Sequence, residues 1–205
     1  MRKGQVTRER LMDIAESAIM DKGFGATSIE EIIAEAEITK SGFFYHFTDK
    51  NALAFALLER HRDRENAVFD QIEARARDLS DDPLQVFLIF LALLAETLDS
   101  MEADFPGCLV ATCVYQERLF DRAVRNLNRD LVLGWRVRFR ALLDDIAAVY
   151  PPRDRVDMDA AADFVSTVVE GGMVMARALG ERKVLPGQVL LLRSYVKLLF
   201  QPRLN

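Results

Sequence analysis

Residues 28–53 read SIEEIIAEAEITKSGFFYHFTDKNAL, and this stretch decides the fold. Ser28, Ile29, Glu30 and Glu31 fit a capping box: the Ser28 hydroxyl can accept from the Glu31 amide, and the Glu31 side chain can reach back. Ile29, Ile32, Ile33 and Ala36 then fall at helical spacing on one face. After a turn at Glu37 and Ile38, Thr39 can cap a second short helix through Lys40, Ser41, Gly42, Phe43 and Phe44. Two short helices around a tight turn make a helix-turn-helix, a motif whose second helix presents side chains from its first turn to the DNA major groove.

Outward from this stretch, the pattern stays helical. Thr7 to Gly25 predicts an amphipathic helix with Leu11, Ile14, Ala15, Ala18 and Ile19 on one stripe and Gly23 placed to end it. A long connecting helix is expected from Lys50 to about Leu79, charged on one side. Asp82 is a natural N-cap and Pro83 suits the first position of a helix running to about Met101. Cys108 to Phe120, Ala123 to Val149, Asp157 to about Leu179 and Pro186 to Phe200 complete the series. Alternating patterns with turn signals are scarce, so the expected class is all-α. The division predicted is a helix-turn-helix domain over residues 1–50 and a larger helical domain over 51–205.

The net charge of -5 is at first sight wrong for a DNA binder, and residues 1–65 themselves carry ten Lys and Arg against twelve Asp and Glu. The charges are segregated, however. Basic groups gather in the first ten residues and at Lys40, His46 and Lys50, while acids collect around Glu30 to Glu37. A local positive strip can bind phosphate, and repulsion from the acidic helix weakens non-specific binding. A selective, salt-sensitive binder of double-stranded DNA is expected.

The segment Lys22-Gly23-Phe24, Thr27-Ser28, Ile32, Ala36, Thr39 to Phe47, Lys50 and Leu53 resembles the N-terminal domain of tetracycline-repressor-like (TetR family) transcriptional regulators. On the residues alone, Thr39 can bond a phosphate while capping its helix, and the Lys40 ammonium can reach guanine acceptors. Ser41 and Gly42 are small enough for close approach. The resemblance adds Phe44 and Tyr45 as groove-wall contacts and His46 and Lys50 as phosphate contacts; Ser28 and Arg8 join the candidate DNA-binding set. The alternatives are ordinary: Phe43 and Phe47 as core, Gly42 relieving crowding, Tyr45 packed at the surface, Lys40 merely solvated. Against the usual family pattern, Glu37 stands where the turn commonly carries glycine, Glu30 where relatives often carry a basic or polar residue, and Phe44 where tyrosine is usual.

The resemblance also implies that the C-terminal bundle dimerises and encloses an inducer pocket. Val165, Val168, Val169, Met173, Leu190, Leu191 and Leu198 lie on broad apolar faces, and Gly172 beside Gly171 invites close approach by another helix. A homodimer is expected, with a kinked monomeric bundle as the alternative; two-fold symmetry then predicts a palindromic operator. Large or polarisable residues of the middle helices are the pocket candidates, namely Phe87, Met101, Cys108, Tyr115, Trp135, Phe139 and Met175. Thr112, Gln116, Thr167 and Glu170 are candidate polar handles for an unidentified small-molecule effector. Cys108, near a helix start, is either a sensor of electrophiles or an inert thiol.

Catalysis is not expected, because no nucleophile stands with a base and there is neither a phosphate loop nor a cluster of metal ligands. Neither metal nor cofactor is expected. No apolar run approaches the ~20 residues of a membrane span, and Met1 to Gln5 lacks an apolar signal core, so no membrane partner and a cytoplasmic location are expected. The rival reading is an all-helical protein-interaction module without DNA binding.

Overall fold

The computed structural model describes residues 3–100 and 107–200. Among them the regular structure is helical: α1 Lys3–Lys22, α2 Ile29–Glu35, α3 Lys40–His46, α4 Lys50–Leu79, α5 Pro83–Ser100, α6 Leu109–Tyr115, α7 Arg122–Val149, α8 Met158–Leu179 and α9 Val184–Phe200. A single 3₁₀ turn, Glu117–Leu119, lies between α6 and α7. The all-α expectation holds.

Local chemistry explains most boundaries. Ser28 accepts from the Glu31 amide at 3.1 Å, and Thr39 from the Gly42 amide at 3.2 Å. Asp82 and Asp157 cap α5 and α8 in the same way. Gly180 closes α8 in the left-handed conformation, with φ 65. Glu31 pairs with Lys22 and also reaches back to the Ser28 amide, as the capping box predicts. Three details differ from the sequence reading. Helix α1 begins at Lys3, before Thr7, since nothing in 3–6 stops a helix, and it ends at Lys22, with Gly23 at φ 86. The helix expected from Cys108 to Phe120 breaks after Tyr115 into the 3₁₀ turn, with Cys108 as its N-cap. Helix α9 starts before Pro186, which the first turn tolerates because its amides need no intrahelical acceptor.

The chain forms two compact units, Met1–Arg64 with Pro106–Leu131, and Glu65–Phe105 with Val132–Asn205. In the first, Leu11, Ala15, Ile19, Ile32, Phe43, Phe47, Leu53 and Leu57 make a core beneath α1 to α4. Packing adds a segment remote in sequence: the Phe120 ring packs tilted against Phe24 with centroids 4.4 Å apart, and Asn51 Oδ1 accepts from the Asp121 amide at 3.0 Å. Arg60, 10% exposed, meets Glu9 at 3.1 Å, Asp13 at 2.7 Å, and Glu16, tying α4 to α1. Burial works against the Arg60 charge, but hydrogen bonds and attraction from Glu16, Glu9 and Asp13 outweigh it and raise its pKa.

In the second unit α5 packs on α9, and α9 on α8. By length and composition α5 is apolar enough to cross a membrane. Here Leu84, Phe87, Phe90, Leu91 and Leu94 are buried against protein. Phe90 lies 6.0 Å from Phe87, 6.1 Å from Phe69 and 6.2 Å from Phe139, an aromatic centre for this unit.

Candidate nucleic-acid interface

Helices α2 and α3 and the turn between them define one polar face. Ile32, Ala36, Phe43 and Phe47 point into the core, so the helical period turns the intervening residues outward. The turn is made by Glu37 at φ 52, the one non-glycine residue in the left-handed region among those described. Lys40, Ser41, Phe44 and Tyr45 are exposed, Tyr45 at 83%. A Cβ on Gly42 would meet Thr39 Oγ1 at 3.4 Å and Ile38 at 3.6 Å, which are ordinary separations, so the fold itself does not demand glycine there.

The remaining candidates are more tightly engaged than sequence suggested. The Thr39 hydroxyl serves the α3 cap and also bonds Ser41 Oγ at 3.0 Å. The Ser28 hydroxyl serves the α2 cap. The Lys50 ammonium bonds the Phe24 carbonyl and sits 4.1 Å from the centroid of the Phe24 ring; burial lowers its pKa. The Arg8 guanidinium lies 5.1 Å from the Phe47 ring, with Met12 Sδ at 3.3 Å. His46 meets Tyr45 edge-on at 5.0 Å. Lys40 Nζ lies 3.3 Å from Glu30 Oε1. The Glu30 carboxyl is held below its usual pKa, chiefly by a backbone hydrogen bond and then by Lys40.

One contact to this region gave no sequence signal. Gln116, expected as a pocket handle, accepts from the Gly25 amide at 2.9 Å, and a Cβ on Gly23 would come within 2.7 Å of its Nε2. The end of α6 thus rests on the turn between α1 and α2. The partners are about ninety residues apart, beyond any local periodicity.

The pocket candidates divide between the units. Cys108, Thr112, Tyr115 and Gln116 belong to the first; Phe87, Trp135, Phe139, Thr167, Glu170 and Met175 belong to the second. Met101 lies outside the described residues. Phe87, Trp135 and Phe139 are buried, whereas Tyr115, Thr167 and Met175 are exposed. Trp135 Nε1 donates to Glu65 of α4. Burial pushes the Glu65 carboxyl up to about 7; the Trp135 hydrogen bond opposes this, Glu170 adds to it and Arg138 opposes it. Cys108 Sγ accepts from the Ala111 amide at 3.5 Å, and burial raises the Cys113 thiol to about 12. A separate open groove of ≈ 370 Å³ runs between α4 and α7, lined by residues that include Glu73, Arg77, Val137 and Arg138. Among the described residues no His, Cys, Asp and Glu cluster could hold a metal.

On α8 and α9 the dimer candidates face two ways. Val165 is buried, and a Cβ on Gly172 would lie 2.7 Å from Leu185 Cδ1 of α9, so both serve packing within the chain. Val168, Val169 and Met173 are half-buried. Leu190, Leu191 and Leu198 are exposed, beside Phe164, Met175 and Tyr195.

The helix-turn-helix and its supporting α1 coincide with a family match: residues 11–57 fit bacterial regulatory proteins of the tetR family. Residues 11–57 therefore carry the DNA-binding domain of the tetR family. Its relatives include the HTH-type transcriptional regulator YvkB of Bacillus subtilis (strain 168), 29% identical over 99 residues, covering 48% of this chain and 51% of YvkB. The chain thus spans about half the length of that relative. The HTH-type transcriptional repressor DhaR of Mycobacterium sp. (strain GP1) is 22% identical over 179 residues, 87% of this chain and 86% of DhaR. In fold, the chain matches a TetR-family transcriptional regulator from Agrobacterium tumefaciens with TM-score 0.79 and 18% identity, covering 97% of this chain and all of the other.

Proposed function

We infer that this TetR-family regulator acts as a homodimeric repressor, binds a palindromic operator through α3, and is released by a small-molecule inducer bound in its C-terminal part. The observation that carries the reading is the α3 surface. Thr39 caps it, Phe43 and Phe47 anchor it, and Lys40, Ser41 and Tyr45 are exposed beside a glycine the fold does not need. Small residues with a cation and hydroxyls are the chemistry that reads base edges and flanking phosphates. Functionally, residues 1–50 read DNA and 51–205 bind effector and dimerise, in the cytoplasm. DhaR is a repressor by name, which favours repression.

Leu190, Leu191 and Leu198, with Val168, Val169 and Met173 at their margin and Val165 and Gly172 behind, form the dimer face; an isologous interface needs such a self-complementary patch. Half-sites then lie about one helical turn apart. The buried aromatic centre around Phe87, Trp135 and Phe139, with Glu170 and Thr167 as handles, is the effector region. The inducer acts by binding the DNA-incompetent state more tightly. The Gln116 contact to Gly25 supports α6 as the element that passes the change to the reading helices.

Selection of random duplexes with the purified chain, repeated with Lys40→Ala, tests the reading. A palindromic site whose preference alters in the variant is expected. Absence of any enriched sequence at low salt overturns it.

A further inference from the structure

Glu30 is the second residue of α2 and Lys40 the first of α3, and the turn brings their charged atoms to 3.3 Å. Both side chains stand out from the protein, 71% and 67% exposed. An ion pair this exposed adds little to folding. As an aid to DNA binding the acid looks perverse, since a carboxylate repels every phosphate it approaches. Base edges are different. A carboxylate has only acceptors and an ammonium only donors, so the pair presents opposite hydrogen-bonding characters side by side.

In the major groove a Watson–Crick pair does the same. Guanine offers its O6 acceptor beside the cytosine N4 amino donor. These two atoms share an N–H···O bond and lie about 2.9 Å apart, close to the 3.3 Å between Lys40 Nζ and Glu30 Oε1. Lysine over O6 and glutamate over N4 make a closed ring of four contacts in which the ion pair itself survives. In this orientation C·G and A·T set donor against donor and acceptor against acceptor. T·A satisfies the same two atoms but is the poorer match: thymine puts a methyl group where guanine gives Lys40 a second acceptor at N7, and adenine N7 faces the carboxylate.

We propose that Glu30 and Lys40 together read one G·C base pair in each half-site, Lys40 on the guanine and Glu30 on the cytosine amino group. The inference rests on α3 entering the major groove. It makes the acid of α2 a specificity determinant that disfavours phosphate and rewards one base pair.

The test is selection from random duplexes with the full chain and its Glu30→Gln, Glu30→Ala and Lys40→Ala variants. Fluorescence anisotropy on the selected site and its single-pair changes then measures affinity. One invariant G·C pair per half-site is expected for the parent chain. Glu30→Ala should lose preference at that pair by about five- to a hundredfold, and Glu30→Gln, which keeps one neutral acceptor, by less; both should leave the other positions unchanged and bind unrelated duplex more tightly. Lys40→Ala should lose preference at the same pair. Circular dichroism checks folding, and the isosteric Glu30→Gln keeps the test valid if Glu30→Ala does not fold. A selected site that the Glu30 variants read as the parent does, or a loss that falls on another base pair, overturns this inference and leaves DNA binding standing. No enrichment by the parent chain at low salt overturns DNA reading and this inference together.

Discussion

Arg60 and Glu65 both lie on α4, and the two compact units they belong to treat a partly buried charge in opposite ways. In the N-terminal unit, Arg60 is ringed by Glu9, Asp13 and Glu16 and stays charged. In the C-terminal unit, Glu65 receives one indole hydrogen bond and faces a second carboxyl, Glu170, so its charge is poorly compensated. The difference explains the charge balance that argued against DNA binding. Three of the acids counted against the N-terminal residues are occupied in holding α1 to α4, and Glu31 and Glu30 are engaged with Lys22 and Lys40. Net charge by domain misleads when the acids answer to partners inside the protein. The C-terminal unit differs again at its surface, where α8 and α9 expose Leu179, Leu190, Leu191 and Leu198.

The largest expected effect is on that surface. Leu191→Glu with Leu198→Glu places two charges on the proposed dimer face and should weaken self-association by more than about 100-fold. Analytical ultracentrifugation reads this, with helicity unchanged; an intact dimer would move the interface elsewhere. Next comes the compensated charge. Arg60→Ala leaves Asp13 and Glu16 with Arg64 alone and Glu9 with Arg8 at 3.9 Å, and should cost about 2 kcal/mol of stability, measured by urea unfolding. A loss under about 1 kcal/mol would place the cluster among ordinary surface pairs.

The uncompensated charge should behave in the reverse sense. Folded Glu65 keeps its proton up to about 7, whereas an unperturbed glutamate releases it near 4.5. The folded state therefore binds more protons across that window, and stability falls as pH rises through it. Glu65→Gln should be more stable than the parent at about pH 8, by on the order of 1–3 kcal/mol, with the gain fading toward about pH 4.5. A gain independent of pH would show that Glu65 does not titrate there. The smallest change is Glu37→Gly, which relieves left-handed strain at the turn and should add up to about 1 kcal/mol. Its thermal midpoint should rise without altered DNA preference; a fall would mean that the Glu37 side chain contributes more than its backbone costs.

The helical elements were legible because their signals are short-range. Ser28, Thr39, Asp82 and Asp157 each bond an amide two or three residues on, and α4 runs over the predicted Lys50 to Leu79. Where the reading slipped, at the start of α1 and the early break of α6, no strong local stop or cap was present to mark the boundary. The candidate site was legible as a set of residue types and much less as an arrangement. Lys40 and Glu30 were each singled out, but their pairing was not, nor was the turning of Lys50 onto the Phe24 carbonyl. Periodicity assigns a residue to a face; it does not say which neighbour a flexible side chain will choose.

By itself, then, the sequence determined the helices, their caps and the helix-turn-helix pattern, because hydrogen bonds spanning a few residues depend only on local chain chemistry. Only the tertiary structure decided that Gln116 rests on Gly25, that Phe120 packs against Phe24, and that Gly172 faces Leu185 while Leu190, Leu191 and Leu198 remain outside. Such contacts are fixed by how whole elements fill space around a shared core, and the spacing of residues along one helix carries no information about its neighbour.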